Sequence, residues 1–239
     1  MGETLDQILQ PGRCHTMKVD LRLYALVDPE HTGGHDIAAL AAAVVKGGAT
    51  LVQLRDKKGS TREMIARARA IHAALKGTGV PLLINDRVDV ALAAGVEGVH
   101  IGWDDMAADD ARRLLGKGAI IGLSINSAER ARTAPIELLD YVCIGGVFAT
   151  TSKDNPNPPQ GVAGVCAFAD IIRPRAPKGF PVGAIAGITA ANAGEVIAGG
   201  LDGVAVITAL SLKPDPEAAA RELRGIVDRS LKVGAGAPA

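Results

Sequence analysis

Eight times from residue 21 onward, a short run rich in Val, Ile and Leu gives way to a longer alanine-rich run and then returns. The β-rich runs fall at 21–27, 50–55, 81–85, 98–101, 119–124, 141–145, 182–186 and 203–207. The helical runs fall at 36–46, 61–76, 88–94, 107–115, 127–134, 162–172, 190–198 and 217–232. Most of the strands are almost continuously apolar, as parallel strands are when helices cover one face and a packed interior the other. Eight strands alternating with eight helices is the count that closes a barrel; fewer units favour an open doubly wound sheet. The expected fold is therefore α/β, a (β/α)8 TIM barrel formed by one domain over 21–232. Residues 1–20 are expected to form an N-terminal extension, either a disordered arm or a helix closing the bottom of the barrel, and 233–239 a disordered tail.

Composition agrees with a barrel built from aliphatic side chains. Hydrophobic residues are 48% of the 239, but aromatics only 3%, so the core must be packed from Val, Ile, Leu and Ala. Glycines at Gly47-Gly48, Gly95 and Gly199-Gly200 follow helical runs and lead into strands, where a left-handed cap stops a helix.

Several partner classes are excluded. Lys plus Arg and Asp plus Glu are 26 each, so no net charge draws the chain to nucleic acid or to an anionic membrane. Cys14, Cys143 and Cys166 are odd in number and far apart, which fits neither a disulfide framework nor a structural zinc site. No signal-peptide core opens the chain, and no span of about 20 apolar residues crosses a bilayer. A cytoplasmic protein acting on small molecules is expected, and a homodimer is left open.

Polar residues carry most information where they end a strand, because inside one a charge is costly unless paired. The second strand ends Gln53-Leu54-Arg55-Asp56-Lys57. Alternation points Gln53 and Arg55 to one side, toward the mouth, where a phosphate would be a suitable partner; a salt bridge from Arg55 to Asp56 is the plainer alternative. The third strand ends Asn85-Asp86 and the fourth His100-Ile101-Gly102-Trp103-Asp104-Asp105. Asp86 or Asp105 alone would more often cap a helix. Together, on adjacent rim loops, they could approach one hard cation such as magnesium. A lone His100 is usually structural. Ser124 ends the fifth strand.

The loop 146–161 holds Thr150, Thr151, Ser152, Lys153 and three prolines, a composition suited to phosphate capture and closure. After the seventh strand come Ala186-Gly187-Ile188-Thr189, and after the eighth Ile207-Thr208. In this fold those two loops frequently bind phosphate through backbone N–H groups and a helix N-terminus; Thr189 could cap the helix behind it.

These motifs, in order and each at a strand end, resemble the thiamine phosphate synthase family from Leu23 to about Leu210. The resemblance rests on the Gln53–Lys57 run, Asn85-Asp86, the His100 and Asp105 segment, Gly122-Leu123-Ser124, Thr150 through Lys153, Ala186 through Thr189, and Gly203 with Ile207-Thr208. It implies an enzyme that joins a hydroxymethylpyrimidine diphosphate to a thiazole phosphate, releasing pyrophosphate. It assigns Gln53, Leu54, Arg55, Asp56, Lys57, Asn85, Ser124 and Lys153 to the pyrimidine diphosphate. Among them Arg55, Lys57, Ser124 and Lys153 are the implied catalytic residues. Asp86 and Asp105 match magnesium ligands, and Thr150, Ser152, Gly187, Ile207 and Thr208 match contacts to the thiazole phosphate.

The chain departs from the family pattern at a few places. Trp103 stands where the family usually has Gln, Ala186 replaces the first glycine of a pair, and Ser152 and Thr208 exchange one hydroxyl for another. Rival readings are a thiazole tautomerase, a non-catalytic sensor of thiazole phosphate or thiamine phosphate, and an unrelated phosphate-binding isomerase or aldolase. The last would require a Schiff-base lysine or a Glu/His acid–base pair, and neither is evident.

Overall fold

The structure, a computed structural model, describes residues 19–150 and 158–235. The N-terminal extension up to residue 18, Thr151, Ser152, Lys153 and the tail beyond 235 lie outside the described residues.

Eight strands close into one barrel: β1 (Leu23–Val27), β2 (Leu51–Leu54), β3 (Leu82–Asn85), β4 (Gly98–Ile101), β5 (Ile120–Ile125), β6 (Tyr141–Ile144), β7 (Val182–Ile185) and β8 (Gly203–Val206). Each pairs in parallel with the next, and β8 returns to β1 through Tyr24 opposite Ala205. The helices around them are α1 (Ile37–Lys46), α2 (Thr61–Ala74), α3 (Val88–Ala94), α4 (Ala108–Leu115), α5 (Ala128–Thr133), α6 (Gly161–Ile172), α7 (Ala193–Ala198), α8 (Thr208–Ser211) and α9 (Pro216–Ala235). No helix among the described residues is long and apolar enough to cross a membrane.

Local chemistry explains the starts. Asp36 caps α1 by accepting from the amides of Ala38 and Ala39. Ser60 and Glu63 form a reciprocal capping box at α2, and Ser127 caps α5. On α2 the buried residues Met64, Ala68 and Ile71 recur at helical spacing and form the face laid against the sheet. Burying a side chain such as Ile71 contributes roughly 1.5–3 kcal/mol.

Two elements differ from the sequence expectation. α7 begins at Ala193 rather than near 190, because Asn192 holds the preceding turn open: its Oδ1 accepts from the Thr189 amide and its Nδ2 donates to the Gly187 carbonyl. Thr189 therefore does not cap that helix. The short α8 is new, since one turn is too brief to show a hydrophobic period.

The apolar residues separate into two cores. A large one fills the space between sheet and helices, including Leu40, Ile71, Ile84, Ile101, Val182 and Leu223. A smaller one fills the barrel itself with Leu21, Tyr24, Leu51, Leu83, Ile120, Tyr141 and Cys143. Strand alternation sends every second residue inward, so the polar residues above this smaller core face the mouth. Gly122 makes room there: a side-chain carbon on it would stand 2.0 Å from the Tyr141 ring.

Candidate active site

One cavity opens at the carboxyl ends of the strands. Its wall includes Gln53, Arg55, Asn85, His100, Ser124, Thr150, Gly187, Ile207 and Thr208, contributed by strands from β2 around to β8. Gln53, Arg55, Asn85, Ser124, Thr150, Gly187, Ile207 and Thr208, far apart in sequence, therefore share one space, whereas Lys57, Asp86 and Asp105 lie outside its wall and Leu54 is buried in the core between sheet and helices. Asp56 is not part of that wall. Its buried carboxylate accepts from the amides of Lys58 and Gly59 and from Arg67 Nη1, so it organises the loop before α2. The expected alternative of an Arg55–Asp56 salt bridge is thereby replaced by Arg67–Asp56.

Arg55 pairs instead with Asp28, the residue just after β1, with Nη1 2.5 Å from Oδ2. Asp28 has no exposed surface, also accepts from the Glu30 amide at 2.9 Å, and lies 3.5 Å from His31 Nδ1. A buried carboxylate so placed fixes one edge of the guanidinium against β1 while Arg55 still borders the cavity. Asp28 is a site residue absent from the sequence expectation, although as the first polar residue after β1 it obeys the same rule that polar residues matter at strand ends.

Below Arg55 runs a chain of polar groups inside the barrel. The chain has two tyrosines, and their hydroxyls meet at 2.8 Å across the interior. Gln53 Nε2 donates to the Tyr24 hydroxyl. His100 Nδ1 lies 2.8 Å from the Tyr141 hydroxyl and its Nε2 lies 2.9 Å from Ser124 Oγ. His100 is thus structural, as a lone strand-end histidine usually is, but it also sets the orientation of Ser124. Burial pushes the Tyr141 and Tyr24 hydroxyls far above the usual phenol range, so both remain neutral hydrogen-bonding groups. At the wall of the cavity two buried polar atoms have no partner among the described residues: Gln53 Oε1, an acceptor, and Asn85 Nδ2, a donor.

Asp86 and Asp105 converge on the rim. Neither serves as a helix cap: the cap positions of α3 and α4 are Arg87 and Ala107, and neither makes a side-chain cap bond. Asp86 adopts φ of 62°, a left-handed conformation that costs a non-glycine residue, and its carboxylate is paired with the Lys57 ammonium. Asp105 Oδ2 accepts from the Gly102 amide at 2.7 Å. Burial raises the Asp86 carboxyl above its ordinary range; the Lys57 ammonium opposes that rise and the neighbouring Asp105 carboxylate adds to it. Two hard oxygen donors that repel one another, with an ammonium already drawn to one of them, fit a divalent cation. No group of three or more His, Cys, Asp or Glu able to hold a metal occurs among the described residues, so ligand oxygens would have to complete such a shell.

The opposite wall is made differently. Gly187, at φ of 65°, lies under the loop after β6; a side-chain carbon there would be 2.4 Å from the Ala149 carbonyl oxygen. That loop is tied to β7 by Phe148 N donating to the Ala186 carbonyl. It is closed at its base by Gln160 N to the Gly146 carbonyl, at 2.7 Å, and by Gly161 N to the Val147 carbonyl. Ala186, the departure from a glycine pair, carries φ of 98°, a conformation that glycine adopts without strain. Ile207 and Thr208 border the cavity where α8 begins. Thr150, Thr189 and Thr208 bring hydroxyls to this wall.

Comparison with known proteins is consistent along the chain. The profile of a family described as thiamine monophosphate synthase matches residues 23–210. A thiamine-phosphate synthase from Agrobacterium fabrum is 51% identical over 218 residues, covering 90% of this chain and 97% of that protein. One from Chloroflexus aurantiacus is 42% identical over 209 residues, covering 87% and 94%. Among solved structures, a thiamine phosphate pyrophosphorylase from Pyrococcus furiosus superposes with a TM-score of 0.77 at 33% identity, covering 90% of this chain and 98% of its own.

Proposed function

The chain belongs to the thiamine monophosphate synthase family, and on that premise we propose that it joins a hydroxymethylpyrimidine diphosphate to a thiazole phosphate with magnesium as cofactor. Like its relatives it is a transferase of thiamine biosynthesis. The observation that carries the assignment of substrates is the pair of unpartnered buried atoms, Gln53 Oε1 and Asn85 Nδ2. Leaving such atoms unsatisfied costs about 1–3 kcal/mol each, a cost that a ligand removes. An aminopyrimidine offers a donor to Gln53, and a ring nitrogen or diphosphate oxygen offers an acceptor to Asn85.

The reaction breaks the bond between the pyrimidine methylene carbon and the diphosphate oxygen, and forms one from that carbon to the thiazole nitrogen. The nitrogen brings its own lone pair, so no general base is needed to create the nucleophile. The difficulty is the charge on the leaving diphosphate. Arg55, held by Asp28, and Lys57 at the rim lie where cations would neutralise that charge. Lys153 joins them in the reading from resemblance. Asp86 and Asp105 would hold magnesium, which when bound supplies further neutralisation at the diphosphate. Ser124, oriented by His100, donates to a pyrimidine diphosphate atom. The thiazole phosphate sits against Thr150, Gly187, Ile207 and Thr208, so that nucleophile and carbon meet in the enclosed mouth, and Ser152 joins these contacts in the reading from resemblance.

Supplying both substrates with magnesium should yield thiamine phosphate and pyrophosphate in equal amounts. Chelating the metal should abolish both. A protein that binds both substrates yet makes no product would be a sensor, and the synthase reading would be lost.

A further inference from the structure

We propose that Asn126 is a further substrate-binding residue, donating its side-chain amide to an oxygen of the pyrimidine diphosphate beside Ser124, with Arg130 and Trp103 as the positioning residues that orient it. The inference rests on the synthase reading above and adds to it a part of the rim where this chain departs from the family pattern.

Asn126 follows β5 directly and borders the cavity together with Ser124. Arg130, one turn into α5, donates from Nη1 to Asn126 Oδ1 at 2.9 Å. A guanidinium has donors only, so the amide atom facing it must be the oxygen. That settles which way the amide is turned, a choice that its outline alone leaves open. The NH2 group is directed away from Arg130 and is available to an acceptor in the cavity. An anionic diphosphate oxygen is the strongest acceptor for such a donor.

The guanidinium is itself held. Its central carbon lies 5.3 Å from the centre of the Trp103 ring, within cation–π range. Its other contact, Asp104 at 4.0 Å, is with a carboxylate 93% exposed, which solvent screens to little effect. Trp103 is therefore the anchor that keeps Arg130 from swinging into water. Trp103 remains 38% exposed, at the rim rather than in the core. The Gln usual at this position in the family has no ring face to offer a guanidinium, so this way of orienting Asn126 goes with the tryptophan.

The chain's single tryptophan makes the test direct, because its emission reports this rim alone. Titrating the full-length protein and magnesium with pyrimidine diphosphate, in the absence of thiazole phosphate, should change Trp103 emission with a saturable midpoint. Asn126→Ala should raise that midpoint, and the KM for the pyrimidine diphosphate, roughly tenfold, the worth of one hydrogen bond to a charged group, while the KM for thiazole phosphate stays within about twofold. Asn126→Asp pairs at least as well with Arg130 and so should fold, but has no donor and repels the diphosphate; its rise should be larger. Arg130→Ala and Trp103→Gln should raise the same KM by roughly threefold, and Arg130→Ala should add nothing once Asn126 is Ala. Wild-type KM values in both Asn126 variants, an equal rise for the two substrates, or independent effects of Asn126 and Arg130 would overturn the proposal. A wild-type protein that makes no product fails the synthase reading itself; one that turns over while Asn126 proves silent fails only this inference.

Discussion

The two walls of the barrel mouth prepare for anions in opposite ways. On the β2–β5 side the cavity and its rim carry charged and amide side chains already held by protein partners: Arg55 by Asp28 and Asn126 by Arg130 at the wall, Lys57 by Asp86 on the rim. On the β7–β8 side it meets backbone, a glycine at φ of 65° and threonine hydroxyls. The first arrangement suits a leaving group whose charge grows during reaction, since fixed cations then act most strongly where charge develops. The second suits a phosphate that only anchors its molecule, for which oriented amides suffice. Side-chain substitutions should therefore strike the first wall hardest, and the second should yield mainly to changes in backbone freedom.

The largest effect is expected at the rim carboxylates. Asp86→Asn keeps the shape and removes the charge, and should lower turnover by about 10²–10³-fold with little change in melting temperature. Pyrophosphate release at wild-type rate would remove Asp86 from the metal site. Next comes Asp28→Ala, which strips Arg55 of its buried partner. It should cost about 3 kcal/mol in urea unfolding and raise the KM for the pyrimidine diphosphate. Unchanged stability would mean that the pair contributes no more than a surface contact.

On the other wall, Gly187→Ala forces a side-chain carbon against the Ala149 carbonyl at a left-handed φ. A loss of about 2 kcal/mol is expected, with weaker binding of thiazole phosphate and unaltered affinity for the pyrimidine diphosphate. Equal weakening of both substrates would break the division of the mouth into two walls. The smallest effect runs the other way. Ala186→Gly relieves strain at φ of 98°, offset in part by the entropy of glycine, and should stabilise by about 0.5–1 kcal/mol, a rise of about 2 °C in melting temperature.

Gln53, Arg55, Asn85 and Ser124, which the structure brings to one cavity, were legible because a strand end is a local feature: an apolar run gives way to a polar side chain at its carboxyl end. Trp103 stood out for the same reason, as a departure within a recognisable motif. Asp28 was missed despite ending a strand, since an aspartate before proline reads as an ordinary turn. Asn126 was missed because its significance depends on Arg130 and on a ring contributed by another loop. α8 was missed because four residues carry no period.

What the sequence by itself determined is the barrel and its rim. Alternation of period 2 and period 3.6, repeated eight times, leaves few ways to bury the apolar faces, and closure into a barrel is the one the structure adopts. Only the tertiary structure decided who pairs with whom. Arg55 takes Asp28 from 27 residues away rather than its neighbour Asp56, and Tyr24 meets Tyr141 across a separation of 117. Closure brings every strand end to one mouth whatever its distance along the chain. Local periodicity shows which residues arrive there, and the choice among partners falls to geometry and burial.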